Sequence, residues 1–388
     1  MPERYRLIAA LLGALTALGP LGVDMYLPAF PAMGEALGAS PAAIQQTLAT
    51  FLLGMAVGQV AYGALSDRIG RRRPLFVGMT VFVLASIGCA LAASAEALMW
   101  LRLLQALGGC VGVVVARAVV RDLTDERGAV RMMAMLMLVM GAAPILAPML
   151  GGWLMAAFGW RAIFWALALY GALAVIAVAF FLPESLPPER RRQDGPMQVV
   201  LVYVSILRDR RFLSCALAGA LPMIGLFAYL FGSPHVLMEV HGLSPTTYGM
   251  AFGSNAIGLI LMSQVTARLV RRHPPAMMLD RALLVQAAAG VLAFIAALSG
   301  LLVPLLVTFF LYLSVMGMVL PLAGAMAMGP LGRVAGSASA LIGSLQFGSG
   351  ALVGVVLGAF GGAAAGPMGG LLAFAGLAGL VAHRGLRR

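Results

Sequence analysis

The 388-residue chain contains no lysine; all 26 of its basic residues are arginine. That absence excludes a P-loop ATPase, whose phosphate-binding lysine has no candidate, and an enzyme working through a lysine Schiff base. Charge of either sign is scarce, at 10% of residues. The only cysteines, Cys89, Cys110 and Cys215, are odd in number and lie in apolar segments. They read as small packing residues rather than a disulfide framework. His235, His241, His273 and His383 sit at or near segment ends without ligand spacing, so no metal or haem site is expected. What is present is apolar: 62% hydrophobic residues with a mean hydropathy of +0.98. Repeated apolar runs of about 20 residues define a polytopic, all-helical membrane protein.

The runs predict twelve spans, at 7–30, 43–65, 75–95, 97–119, 132–157, 160–182, 212–235, 244–267, 279–299, 301–326, 335–360 and 364–383. Arg4 and Arg6 before the first run imitate a signal peptide, but Asp24, three prolines after Gly19 and the many later spans keep it as span one. Placing the N-terminus in the cytoplasm puts every arginine except Arg102, Arg117 and Arg161 on one side. The positive-inside rule therefore sets both termini in the cytoplasm. The net charge of +12 follows from that topology and from a basic face toward lipid headgroups; it calls for no nucleic acid. The one long polar connection begins at Leu182-Pro183-Glu184-Ser185 and runs through Arg190, Arg191 and Arg192. It divides the chain into an N-terminal half (1–183), a linker (184–210) and a C-terminal half (211–388). Each half carries a basic loop between its second and third spans, with Gln59-Val60 leading into one and Gln264-Val265 into the other. The echo fits two similar six-span halves.

The stretch that organises the chain is Gly19-Pro20-Leu21-Gly22-Val23-Asp24-Met25-Tyr26-Leu27-Pro28. Asp24 is the only charge between Arg6 and Glu35. An ionised Asp in hydrocarbon costs roughly 3 kcal/mol on insertion scales. One account places it at a helix end touching headgroups; the other makes it the coupling site of a transporter. Span one runs outward to about Phe30 and span four inward from Glu96, so Asp24 and Arg102 both lie about six residues, or roughly 9 Å, below the outer surface. Opposite charges at matching depth relieve each other's burial if their helices are neighbours. Either could instead snorkel outward, which the long Arg side chain does more easily than Asp.

Gly63-Ala64-Leu65-Ser66-Asp67-Arg68-Ile69-Gly70-Arg71-Arg72-Arg73-Pro74 is the most specific motif. An ordinary positive-inside loop accounts for its arginines but not for the order of Gly63, Asp67, Arg68, Gly70, Arg71 and Arg72. The segment resembles the cytoplasmic signature of the major facilitator superfamily. The resemblance implies a twelve-helix fold of two pseudo-symmetric halves, with this loop as a latch whose Asp67 meets the start of span eleven and an Arg near the end of span four, Arg117 or Arg121. Leu101-Arg102-Leu103-Leu104-Gln105-Ala106-Leu107-Gly108-Gly109 resembles the span-four arginine motif of proton-coupled drug antiporters, with Ala106 where Gly is usual. Gly141, Pro144, Pro148, Gly151 and Gly152 resemble their span-five motif, with Ala147 where Gly is typical. Close packing of small residues and kinking prolines explain the same stretch physically, and the two accounts are compatible. Asp24-Met25-Tyr26-Leu27-Pro28, with Gln45-Gln46-Thr47, resembles the Bcr/CflA branch of multidrug exporters.

The resemblance implies proton-coupled export of drug-like compounds by alternating access, by a monomer in the bacterial inner membrane. Asp24 and Arg102 are the coupling candidates, the proton the coupling ion, and no cofactor is expected. Met25, Tyr26, Gln46, Asn255 and Gln346 are the pocket candidates. The 25 methionines suit an adaptable surface, although most Met in a bundle is simply packing or lipid-facing. Ser233-Pro234 and Gly336-Ser337 are candidate hinges. The alternative within this fold is a metabolite exporter for a sugar, amino acid or nucleoside. A membrane-embedded enzyme would need a second in-membrane acid, a His pair or a Ser–Lys arrangement, and a sensor would need a sizeable soluble module; neither fits.

Overall fold

The computed structural model describes residues 3–123, 126–191, 195–328, 331, 335–360 and 365–387. Among these, the regular elements are all helical. In chain order the α-helices are α1 (Glu3–Asp24), α2 (Phe30–Leu37), α3 (Pro41–Ile69), α4 (Arg72–Leu91), α5 (Ala95–Leu123), α6 (Glu126–Phe158) and α7 (Arg161–Phe181). There follow α8 (Pro196–Arg208), α9 (Arg210–Pro234), α10 (Pro245–Leu269), α11 (Pro275–Ser299), α12 (Leu302–Met328), α13 (Ala335–Ala359) and α14 (Ala365–Arg387). All but the short α2 and α8 have the length to cross a bilayer at about 1.5 Å per residue, and from α3 onward they overlie the expected second to twelfth spans.

The first span differs in kind from the expectation of one helix over 7–30. α1 stops at Asp24, and the apolar stretch continues through a 3₁₀ turn, Leu27–Ala29, into α2. The cause is Pro28, which has no N–H to offer the Asp24 carbonyl four residues earlier and whose ring crowds that carbonyl. Asp24 therefore sits at a break, not inside a continuous helix.

The chain forms two compact units, Met1–Val199 and Val200–Arg388, the division falling within α8 and so within the 184–210 connection. In the first unit α3 packs along α5, α4 against α5 and α7, and α1 against α6 and α5. In the second, α11 packs on α14 and α12, α9 on α14 and α13, and α10 on α12. Small residues set the spacing: a Cβ at Gly108 would lie 2.5 Å from the Gly78 carbonyl oxygen and from the Phe82 nitrogen, so α4 and α5 touch backbone to backbone. Cys89, Cys110 and Cys215 are buried thiols.

The second long helix of each unit starts in the same way. Gly38 and Gly242 take φ values of +56° and +69°, and Ser40-Pro41 and Ser244-Pro245 follow. Each serine hydroxyl accepts the N–H three residues on, from Ala43 and Thr247, and each proline occupies a first-turn position whose N–H is unneeded. A cap of this kind stabilises a helix by about 1 kcal/mol.

Candidate functional site

Because α1 ends at Asp24, the carbonyl of Gly22 has no helical N–H to receive. Arg102 of α5 fills the vacancy. Its guanidinium has no solvent exposure and donates from Nη2 to the Gly22 oxygen at 2.7 Å and from Nη1 to Gln105 Oε1 at 2.6 Å. Gln105 donates on to Ser86 Oγ at 2.7 Å, and Ser86 to the Phe82 carbonyl at 2.6 Å, so the polar chain runs from α1 through α5 into α4. The rings of Phe51, Tyr26 and Phe164 lie 4.0, 4.2 and 5.8 Å from the guanidinium carbon. A cation at a helix C-terminus and over aromatic faces recovers part of its burial cost.

The expected Asp24–Arg102 ion pair is not formed. Asp24 is 5% exposed, but Arg102 is committed to Gly22, two residues earlier, and to Gln105. The depth argument brought the right helices together. It failed on the partner, because a broken helix offers a carbonyl that an unbroken one would not.

Of the pocket candidates, Tyr26 is fully buried and its hydroxyl pairs with Thr47 Oγ1 at 2.9 Å, while Met25 is buried beside it. Gln46 is exposed on α3, and the buried member of its pair is Gln45. In the second unit Asn255 donates to the Tyr229 hydroxyl at 2.9 Å, within a group containing Phe252 and Phe309. Gln346 is half-buried on α13, its amide nitrogen 3.8 Å from where a Cβ at Gly219 would lie. Tyr26 thus acts in this structure as packing over Arg102, and Met25 as a buried residue of the break facing α6.

Gly151 of α6 faces the break in the first span. A Cβ there would collide with the Met25 carbonyl, whereas one at Gly152 would meet nothing within 4 Å. Pro148 is buried on the same helix. Gly141 and Pro144 lie on α6, but their surroundings fall outside the described residues. At the candidate hinge, α9 ends at Pro234 and continues as a π-helical segment, His235–Val240. The surroundings of Gly336 fall outside the described residues.

The loop between α3 and α4 is built around Arg71. Its side chain, 4% exposed, bridges Asp67 Oδ1 at 2.6 Å and Asp122 Oδ2 at 2.8 Å and donates to Ser66 Oγ at 3.1 Å. Burial disfavours its charge, but the hydrogen bonds to Asp122 and Asp67 outweigh that and raise its pKa above the ordinary guanidinium value. The Glu184 carboxylate accepts the backbone N–H groups of Arg71 (2.9 Å), Arg72 (3.2 Å) and Leu186 (3.0 Å), sitting at the N-terminus of α4. Burial pushes Glu184 upward, but those three donors and nearby Arg191 prevail and hold it below the ordinary carboxylate range. Gly70 makes the fit: its φ is +95°, and a Cβ there would lie 2.5 Å from the Glu184 carboxylate. Ser185 donates to Asp122 at 3.0 Å, closing the ring of contacts. Arg72 reaches the Ala179 carbonyl at 2.9 Å and covers Phe76, Gly63 accepts from the Ser66 hydroxyl at 3.3 Å, and Arg68 is exposed on the last turn of α3.

The expected partner of Asp67 was an arginine near the end of span four. Among the described residues Asp67 pairs with Arg71, and span four contributes a carboxylate, Asp122, to the same arginine. Arg117 lies half-buried on α5, and the side chain of Arg121 is outside the described residues. The expected contact with the start of span eleven falls on residues 332–336, whose surroundings are also outside them. Asp122, Glu184 and Ser185 were not singled out from the sequence. Asp122 and Glu184 had a signal, as acids at the ends of apolar runs in segments otherwise rich in arginine; Ser185 had none.

The fold and this loop define a transporter class. The Major Facilitator Superfamily family model matches residues 12–355, and the chain belongs to that family. The chain is 35% identical to an uncharacterized MFS-type transporter, YdgK, of Bacillus subtilis, over 98% of this chain and 95% of that one. It is 31% identical to a bicyclomycin resistance protein homolog of Haemophilus influenzae, over 88% of this chain and 86% of that one. It is 36% identical to a chloramphenicol resistance protein of Pseudomonas aeruginosa, over 69% and 63%. Among solved structures, a bacterial homolog of the human lysosomal transporter Spinster superposes with a TM-score of 0.74 at 17% identity, covering 99% of this chain and 98% of that one. A D-xylose-proton symporter superposes with a TM-score of 0.73 at 15% identity, covering 97% and 96%. The protein is a multi-pass membrane transporter of this superfamily, with relatives named for bicyclomycin, chloramphenicol and multidrug resistance, and not an enzyme.

Proposed function

We propose that this transporter exports antibiotics or similar small amphipathic compounds in exchange for protons, by alternating access, from the cytoplasmic side of a bacterial inner membrane. The arginine distribution supports placing both termini in the cytoplasm. The names of the relatives, which include bicyclomycin, chloramphenicol and multidrug resistance, support a drug-like substrate. The observation that carries the coupling is Asp24, a nearly solvent-free carboxylate at a helix break, two residues from the carbonyl that Arg102 holds.

In this reading Asp24 takes up a proton from the outer side and releases it to the cytoplasm. While Asp24 is protonated, Arg102 stays on the Gly22 carbonyl. When Asp24 is ionised, it draws the guanidinium away, the end of α1 loses its cap, and the first span shifts against α5 and α6. Proton and drug then compete for one state of the site, and no cofactor is required. The protein works as a monomer.

The test is reconstitution into liposomes holding a pH-sensitive dye, with antibiotics added singly. Proton movement on addition is expected for wild type and lost in Asp24→Asn, which remains folded. Full proton-driven export by Asp24→Asn would overturn the assignment, and silence of wild type towards chemically varied drugs alongside a response to a sugar, amino acid or nucleoside would overturn the substrate class.

A further inference from the structure

A second polar cluster lies in the other unit, unconnected with Asp24. Ser214 is on the second turn of α9, Asp280 on the second turn of α11 and His383 near the end of α14, so the up-and-down chain brings all three to the same, arginine-rich end. The His383 side chain is 1% exposed and that of Asp280 27%. Ser214 Oγ lies 3.0 Å from His383 Nδ1 and 3.0 Å from the His383 carbonyl oxygen, and His383 Nε2 lies 3.5 Å from Asp280 Oδ1.

Counting protons distinguishes the states of the ring. A hydroxyl has one hydrogen, and a carbonyl can only accept. If Ser214 donates to the carbonyl, Nδ1 must carry a proton to donate to Ser214 Oγ. In a neutral imidazole Nε2 would then turn a lone pair toward the Asp280 carboxylate. If instead Ser214 donates to Nδ1, its lone pairs oppose the carbonyl at 3.0 Å. The neutral ring protonated at Nδ1 meets both hydrogen bonds, Ser214 to the carbonyl and Nδ1–H to Ser214; the imidazolium keeps both and adds an ion pair with Asp280, whose Oδ1 lies 3.5 Å from Nε2. The last turn of α14 adds the negative end of its dipole, which favours a cation there.

We propose that His383, with Asp280 and Ser214, is a proton-binding site whose occupancy clasps α14 to α9 and α11. With the proton bound, an ion pair joins α14 to α11. Without it, a neutral ring faces a carboxylate and that join is lost, so the site reads the pH on the arginine-rich side. Among the described residues, the other charged groups on the elements packed here are exposed: Arg210 and Arg211 on α9, Arg281 on α11 and Arg384 on α14. α12 and α13, which pack on α9, carry none, and the buried Cys215 is the remaining titratable neighbour in sequence. The cluster is not a hydrolytic triad. Ser214 is 2% exposed, and its hydrogen goes to a carbonyl.

Nitrogen NMR of histidine-labelled protein reads the site directly. Replacing His235, His241 and His273 by Gln leaves His383 as the sole histidine. At about pH 7, where a free imidazole is mostly neutral, both ring nitrogens should carry protons. A neutral ring there, or titration like free histidine, would overturn the proposal. The second readout is thermal stability in detergent. Between about pH 6 and about pH 9 the wild-type midpoint should fall, and Asp280→Asn and His383→Gln should each remove that pH dependence, with the double variant removing no more. A purely structural role would lower the midpoint equally at every pH and would refute the site, as would an unchanged pH dependence. Neither readout depends on Asp24 or on drug transport.

Discussion

Sealed from water, the Arg102 guanidinium donates from Nη2 to Gly22 and from Nη1 to Gln105, and three aromatic rings lie around it, while Nε is left without a hydrogen-bond partner. The same break that frees the Gly22 carbonyl brings Met25 against α6, where only glycine leaves room. Gly151 and Gly152 are therefore unequal despite being adjacent. Gly151→Ala should destabilise the protein by about 1–3 kcal/mol, the usual cost of overpacking, since the obstructing atoms are backbone and cannot turn aside. Gly152→Ala should be neutral or stabilising by up to about 1 kcal/mol through helix propensity. Thermal unfolding of the two variants in detergent checks the contrast. From the sequence, the two glycines were equivalent members of one motif, and nothing in their spacing says which one meets another helix.

At the scale of elements, Glu184 holds the start of α4 against the segment after α7, and Arg71 holds α3 to the end of α5 through Asp67 and Asp122. The Glu184 carboxylate lies below its ordinary range in the folded protein, so its contribution is complete above that range and is lost as the pH falls through the lowered value. Glu184→Gln should thus be less stable than wild type at neutral pH, and the difference should close in acid as the wild-type carboxylate is protonated. Melting curves of both proteins from neutral to strongly acidic pH test this; a difference constant with pH would refute it. The arginines of this loop, its turn glycines and Asp67 were legible from their order alone. Asp122 and Glu184 were not, because they come from segments roughly 50 and 110 residues further on, and hydropathy says where such segments lie but not which carboxylate reaches a given N–H.

For the whole molecule, the proposed coupling makes export depend on the proton gradient and on nothing else stored in the chain. A proton ionophore should abolish drug efflux from cells expressing the protein while ATP is held constant, as read by accumulation of a fluorescent substrate; efflux that persists would exclude proton antiport. The repeated Gly-x-Ser-Pro entry into α3 and α10 is a whole-molecule feature readable in the sequence yet easily passed over, because four residues are a faint repeat until each is seen capping the same helix of its unit. The sequence by itself determined the class of protein: apolar runs of bilayer length leave only a helical bundle, arginine placement implies an orientation, and the loop order resembles one superfamily. Those follow from local composition, which lipid and helix geometry act on directly. Only the tertiary structure decided what each buried charge touches. Arg102 lies on a carbonyl rather than on Asp24 because Pro28 ends α1 at Asp24 and leaves the Gly22 oxygen open, and that choice among nearby acceptors depends on which groups a fold leaves unmet.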